Sequence, residues 1–179
     1  MLRVFLGLCL PNSVKDQLSP MKSGLPKARW IDGENLHLTI RFIGEVEETL
    51  AGDIHDALST LSFEAFPLRL KGIDCFHSRN KVRAVWTGTA TSSHLKYLKR
   101  KVEMNLGRTG LPAESRKFTP HVTLARLKLA PLTSVIPYLE ANAGFQTESF
   151  QVDQVFLFRS HLGHRGAAYE TLAAYPEKI

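Results

Sequence analysis

A chain of 179 residues, 44% hydrophobic and 22% charged, has the composition of one packed domain, or of two small lobes sharing a core, and not of a disordered segment. Its net charge of +6 and pI near 9.5 favour an anionic partner such as RNA, a nucleotide or an acidic membrane surface, the plain alternative being a merely soluble basic surface. No run approaches the ~18 apolar residues that span a bilayer. The two cysteines, Cys9 and Cys75, exclude a disulfide framework and read as small buried residues in a reducing, cytoplasmic setting.

In chain order, Arg3 and the apolar run from Val4 to Leu10 have the charged and apolar parts of a signal peptide. The run is at the short limit and no small-x-small cleavage site follows, so it reads as a first strand. Ser13 is the expected N-cap of a helix through Leu18 and Met21, closed by Gly24-Leu25-Pro26. Trp30-Ile31 and residues 36–43 are extended, with Gly44 expected to stop the second piece. Leu50, Ile54, Leu58 and Leu61 predict a helix over 47–61. Residues 66–73 and 82–88, separated by the polar "HSRNK", predict a hairpin. Leu95, Leu98, Val102 and Leu106 mark a long helix whose other face carries Lys96, Lys99, Arg100, Lys101 and Arg108, a pattern more often solvated than nucleic-acid-binding. A strand over 118–127, a helix over 132–143 and extended pieces at 145–152, 154–160 and 167–175 complete the set.

This order contains an internal duplication. The phrase "NLHLTIRF" recurs as "TPHVTLAR", and each His-x-Thr strand is followed by a helix and a strand pair. Two lobes related by an approximate two-fold would set the phrases on facing strands. No linker rich in Gly, Ser or Pro intervenes, so residues 1–179 read as a single bilobal domain.

Alternation along a strand points His37 and Thr39 to one face and Leu38 and Ile40 to the other, and it does the same for His121 and Thr123 against Val122 and Leu124. Two imidazoles on opposite walls suit a reaction that takes a proton at one end and delivers one at the other. In-line displacement at phosphorus has that geometry, and the threonine hydroxyls can donate to the equatorial oxygens. The competing readings are a core histidine bonded to backbone and a metal site. For a metal, neither cysteine lies near either phrase to supply a third ligand, so none is expected.

The paired "HLTI" and "HVTL" resemble the signature of the two-histidine phosphoesterase superfamily. With "WIDGENLHLTIRFIGEV", "FTPHVTLARL" and "LFRSHLGHRGAAYETLAAYP", the chain is similar over essentially its whole length to bacterial RNA 2′,3′-cyclic phosphodiesterases, also described as 2′-5′ RNA ligase-like proteins. The resemblance implies an α+β, bilobal, pseudo-two-fold fold, with two antiparallel sheets facing a central cleft, helices outside and no cofactor. It implies opening of a 2′,3′-cyclic phosphate at an RNA end, tRNA fragments among the substrates, to leave a 2′-phosphate. By analogy His37 protonates the departing O3′ and His121 activates water, although the pseudo-symmetry permits either order, while Thr39 and Thr123 hold the phosphate. A cytoplasmic monomer with no membrane partner is expected.

The same resemblance suggests that Phe42 and Arg126 sandwich the terminal nucleobase. Strict alternation puts both on the face opposite the histidines, so either the strands bend or end before them, or Phe42 is core and Arg126 surface. Arg41 shares the histidine face by parity and is a candidate for phosphate, and Trp30 packs near the cleft edge. Arg159, Ser160 and Tyr169 match the last strands, in structural roles. Ligation on the same residues, another 2′-5′ or cyclic phosphodiester substrate, and a non-catalytic RNA- or nucleotide-binding module are the alternative functions.

Overall fold

Buried residues at alternate positions build the strands, and buried residues at three- and four-residue spacing build the helices that cover them. In the computed structural model, which describes residues 1–178, the elements are β1 (Leu2–Cys9), α1 (Asn12–Leu18), β2 (Arg29–Trp30), β3 (His37–Val46), α2 (Glu48–Ser59), β4 (Phe66–Ser78) and β5 (Lys81–Thr89). They continue with α3 (Ser93–Gly107), β6 (His121–Pro131), α4 (Leu132–Ala141), β7 (Gln146–Val152), β8 (Val155–Gly163) and β9 (Gly166–Tyr175). Short 3-10 turns at Ser19–Met21 and Gly33–Asn35 complete the order.

The strands run β7-β4-β5-β6-β3-β1-β8-β9, with β2 added to β6. Among the described residues these strands form one nine-stranded sheet, whose halves correspond to the two expected sheets and meet at β3 and β6 through the single pair Leu38–Val122. Counting outward from that seam, β6, β5, β4 and β7 correspond to β3, β1, β8 and β9, which is the approximate two-fold. The hairpins cross it: β4–β5, which follows β3, lies beside β6, whereas β8–β9, which follows β6, lies beside β1. Neither half is contiguous in sequence, so no linker divides them.

The helices lie on one face. Leu38 and Ile40 of β3 and Val122 and Leu124 of β6 join Ile54 and Leu58 of α2 and Leu95, Leu98 and Val102 of α3 in the main core, each contributing about 1.5–3 kcal/mol by leaving water. A second cluster under α4 contains Val82, Val85, Leu127, Val135 and Tyr138. Ser92 caps α3 by accepting from the Leu95 amide at 3.1 Å. Three expectations need correction. α1 begins at Asn12 behind Pro11 with no side-chain cap, so Ser13 is inside the helix. Gly44 does not stop β3, because its φ of +95° lets the strand pass through to Val46. Cys9 is exposed at the end of β1, and only Cys75 is buried.

Candidate active site

From its histidine onward, each His-x-Thr strand has the same burial order: half-buried, buried, half-buried, buried, buried, exposed. Two consecutive buried residues, Ile40-Arg41 in β3 and Leu124-Ala125 in β6, break the alternation. The pairing explains why. Gly7 pairs with Thr39 and Leu6 with Arg41, skipping Ile40, and Trp86 pairs with Thr123 and Val85 with Ala125, skipping Leu124. One extra residue on each strand is a β-bulge, which reverses the parity beyond it. Phe42 and Arg126 therefore return to the face of His37 and His121, and Phe42 is 47% exposed there.

The same bulge overturns the reading of Arg41 as a phosphate ligand. Its side chain turns inward, is 8% exposed, pairs with Glu114 at 2.9 Å and Glu103 at 3.7 Å, and donates to the Pro112 carbonyl at 2.7 Å. Lys99 Nζ donates to the Ile40 carbonyl at 2.9 Å, satisfying a backbone acceptor at the bulge.

Antiparallel order around Leu38–Val122 sets His37 across from Thr123 and His121 across from Thr39. The two rings are anchored alike. His37 Nδ1 donates to the Asn35 carbonyl and His121 Nδ1 to the Thr119 carbonyl, each at 2.7 Å and each two residues upstream. A carbonyl only accepts, so Nδ1 carries the proton and Nε2 is the unprotonated nitrogen when each ring is neutral. Thr39 Oγ1 donates to the neutral His37 Nε2 at 3.0 Å. The Asn35 side chain donates to the Ala167 carbonyl at 2.8 Å, tying the turn before β3 to β9.

Aromatic rings wall both imidazoles. Phe5 lies 4.9 Å from His37 and Tyr169 meets it edge-on at 5.0 Å, while Phe76 meets His121 edge-on at 4.8 Å and Trp86 lies 5.5 Å away. Burial is the main cause that pushes both histidines below 6.5. Their carbonyl partners oppose this, while the positive charge of Arg126 adds to it at both rings and that of His121 adds to it at His37. The register at Leu38–Val122 places the two histidines on adjacent strands, each one residue from the seam.

A cavity of about 380 Å³ opens here, lined in part by Thr39, Phe42, Phe76, Arg116, Lys117 and His121. Sequence reasoning missed Phe5, Phe76 and Trp86 and gave Tyr169 a structural role. They reach the rings from strands far away in the chain, so no local signal marked them. Three of the remaining five histidines have other partners: His55 hydrogen-bonds Tyr175 at 2.8 Å, His94 stacks on Phe66, and His161 pairs with Glu170. Trp30 packs against Tyr138 on the helix side. Among the described residues no group of three or more His, Cys, Asp or Glu is placed to hold a metal ion, and no helix is long and apolar enough to cross a membrane.

Paired His-x-Thr strands meeting at a pseudo-two-fold seam define a two-histidine phosphoesterase architecture. Residues 10–164 match the model of the 2′-5′ RNA ligase superfamily, and the chain belongs to that family. A relative from Aeropyrum pernix named RNA 2′,3′-cyclic phosphodiesterase is 35% identical over 84% of this chain and 86% of its own. One of the same name from Thermotoga maritima is 29% identical over 96% and 93%. The crystal structure of E. coli LigT complexed with 3′-AMP superposes with a TM-score of 0.78 at 24% identity over 97% of each chain. The crystal structure of TT0787 from Thermus thermophilus gives 0.78 at 22% identity over 96% of each. These structures share the fold.

Proposed function

We propose that this protein hydrolyses 2′,3′-cyclic phosphodiester ends of RNA to 2′-phosphates without a metal. The observation that carries the reading is the matched anchoring of His37 and His121 on adjacent strands, each with Nδ1 tied to a backbone carbonyl, which leaves Nε2 for proton transfer. The names of the relatives supply the substrate class.

His121, neutral, takes a proton from water at Nε2 as the water oxygen bonds to phosphorus. The P–O3′ bond breaks, and protonated His37 gives its Nε2 proton to O3′. The products are a 2′-phosphate and a free 3′-hydroxyl, and proton exchange with solvent resets the two rings. When His37 is charged its Nε2–H can donate to Thr39 Oγ1, which frees the threonine proton for a phosphate oxygen; Thr123 supplies the matching donor. The negative phosphodiester raises both histidines and so restores a charged His37. Phe42 and Arg126, on the same face beyond their bulges, stack on the terminal base. With a 5′-hydroxyl in place of water, the same displacement joins strands through a 2′–5′ linkage.

Incubation with a 2′,3′-cyclic nucleotide in the presence of chelator, followed by separation of 2′- from 3′-phosphate, tests the reading. A 2′-phosphate product is expected. A 3′-phosphate would overturn the leaving group, and no product would favour a binding module.

A further inference from the structure

One wall of the cleft is a loop, residues 108–120, whose Thr119 carbonyl anchors His121 and whose other residues have no part in the proton transfers. Little regular structure holds it, yet it is not free. Arg41 donates to the Pro112 carbonyl and pairs with Glu114, the Glu114 amide donates to Glu103 Oε2 at 3.3 Å, and the Arg116 amide donates to Glu114 Oε1 at 3.3 Å. Lys99 bonds both Glu103 and the Ile40 carbonyl. This network fastens the loop to β3 and α3, so its ordering is in place before a ligand arrives.

The loop presents two exposed cations, Arg116 and Lys117, to the cavity that holds Thr39, Phe42 and His121. Among the described residues neither side chain forms an ion pair or a side-chain hydrogen bond, and the nearby carboxylate of Glu114 is engaged by Arg41. Arg41, Arg116 and Lys117 outnumber the acids on this wall, and the buried arginine serves as the anchor, leaving the two exposed cations to meet solvent anions.

Resting on the activity proposed above, we propose that Arg116 and Lys117 bind a second phosphate, on the 5′ side of the terminal nucleoside whose cyclic phosphate lies between His37 and His121. The protein then reads an RNA strand and not a lone cyclic mononucleotide. A guanidinium and an ammonium on a prearranged loop supply charge-assisted bonds without reading base identity. A 5′-phosphate on a mononucleotide offers the same chemistry as a strand.

Fluorescence anisotropy with three labelled ligands separates these sources: a nucleoside 2′-phosphate, the same nucleotide carrying a 5′-phosphate, and a trinucleotide ending in a 2′-phosphate. Wild type should bind the trinucleotide at least tenfold more tightly than the nucleoside 2′-phosphate. Arg116→Ala with Lys117→Ala should remove most of that advantage and lower the salt slope of trinucleotide binding by roughly 0.7 for each phosphate no longer neutralised. Lys117→Glu should reduce trinucleotide affinity further. Equal wild-type affinities for all three ligands, or a double variant that keeps the trinucleotide advantage, would overturn the proposal. An advantage already complete with the 5′-phosphate mononucleotide would keep the second phosphate site and overturn strand reading. Turnover of a cyclic-ended trinucleotide is measured separately, so intact selectivity in binding without turnover would sink the hydrolase reading and leave this site standing.

Discussion

His37 and His121 differ from surface histidines in two respects that an experiment can separate, their fixed tautomer and their lowered proton affinity. On the proposed mechanism, removing either imidazole should reduce kcat about 10²–10⁴-fold in steady-state assays of His37→Ala and His121→Ala. A phosphodiester with a nitrophenol leaving group should restore part of the activity of His37→Ala and none of that of His121→Ala; the opposite pattern would exchange the acid and base roles. Both rings lie below 6.5 in the free protein, so kcat/KM should reach its maximum on the acid side of 6.5. The bound phosphodiester favours charged imidazole, so the kcat profile should lie at higher pH than that of kcat/KM. Stacking on one base is worth about 1–3 kcal/mol, and Phe42→Ala or Arg126→Ala should weaken cyclic nucleotide binding by that order in calorimetry. Unchanged binding in both would remove the sandwich.

At the scale of the element, the bulges decide what each strand offers the cleft. Lys99 holds the β3 bulge through the Ile40 carbonyl, and Lys99→Met leaves that acceptor without its donor and Glu103 with only the longer 3.7 Å pairing to Arg41. We expect about 1–3 kcal/mol of lost stability by denaturant unfolding, with weakened cyclic nucleotide binding as Phe42 loses its placement. Gly7 marks the tight approach of β1 to β3: a Cβ there would lie 3.0 Å from the Leu38 carbonyl oxygen and 3.5 Å from His37 Cδ2. Gly7→Ala should therefore cost about 1–3 kcal/mol of stability and lower kcat more than it raises KM, because the imidazole is displaced while the base site is untouched.

Across the whole molecule, the crossed hairpins make each half depend on the other for its outer strands, so one unfolding transition is expected in both fluorescence and far-UV circular dichroism. The same two histidines make that stability pH-dependent. Their folded values are depressed, so between those values and 6.5 the unfolded chain binds more protons. The contribution is complete above 6.5 and is lost as pH falls from 6.5 through the lowered values. The melting temperature should drop over that interval, and drop less in the His37→Ala, His121→Ala double variant. Bound inorganic phosphate should oppose the drop, because it stabilises the charged rings.

Much of this was legible in one dimension. A histidine and a threonine two apart share a strand face whatever the strand pairs with, and repetition of the phrase among like successions of elements made the approximate two-fold readable from local pattern, while the α+β class came with the resemblance of the paired phrases to a known family. What the chain could not reveal by itself was the register. Whether Phe42 and Arg126 face the cleft, and whether Arg41 meets phosphate or Glu114, depends on one skipped residue in each strand, and a skip exists only relative to a partner strand. The aromatic walls around the imidazoles, drawn from β1, β4, β5 and β9, likewise arise from long-range pairing. Side-chain type and spacing act within a few residues, whereas parity, burial and proton affinity are set by neighbours that only the folded chain brings near.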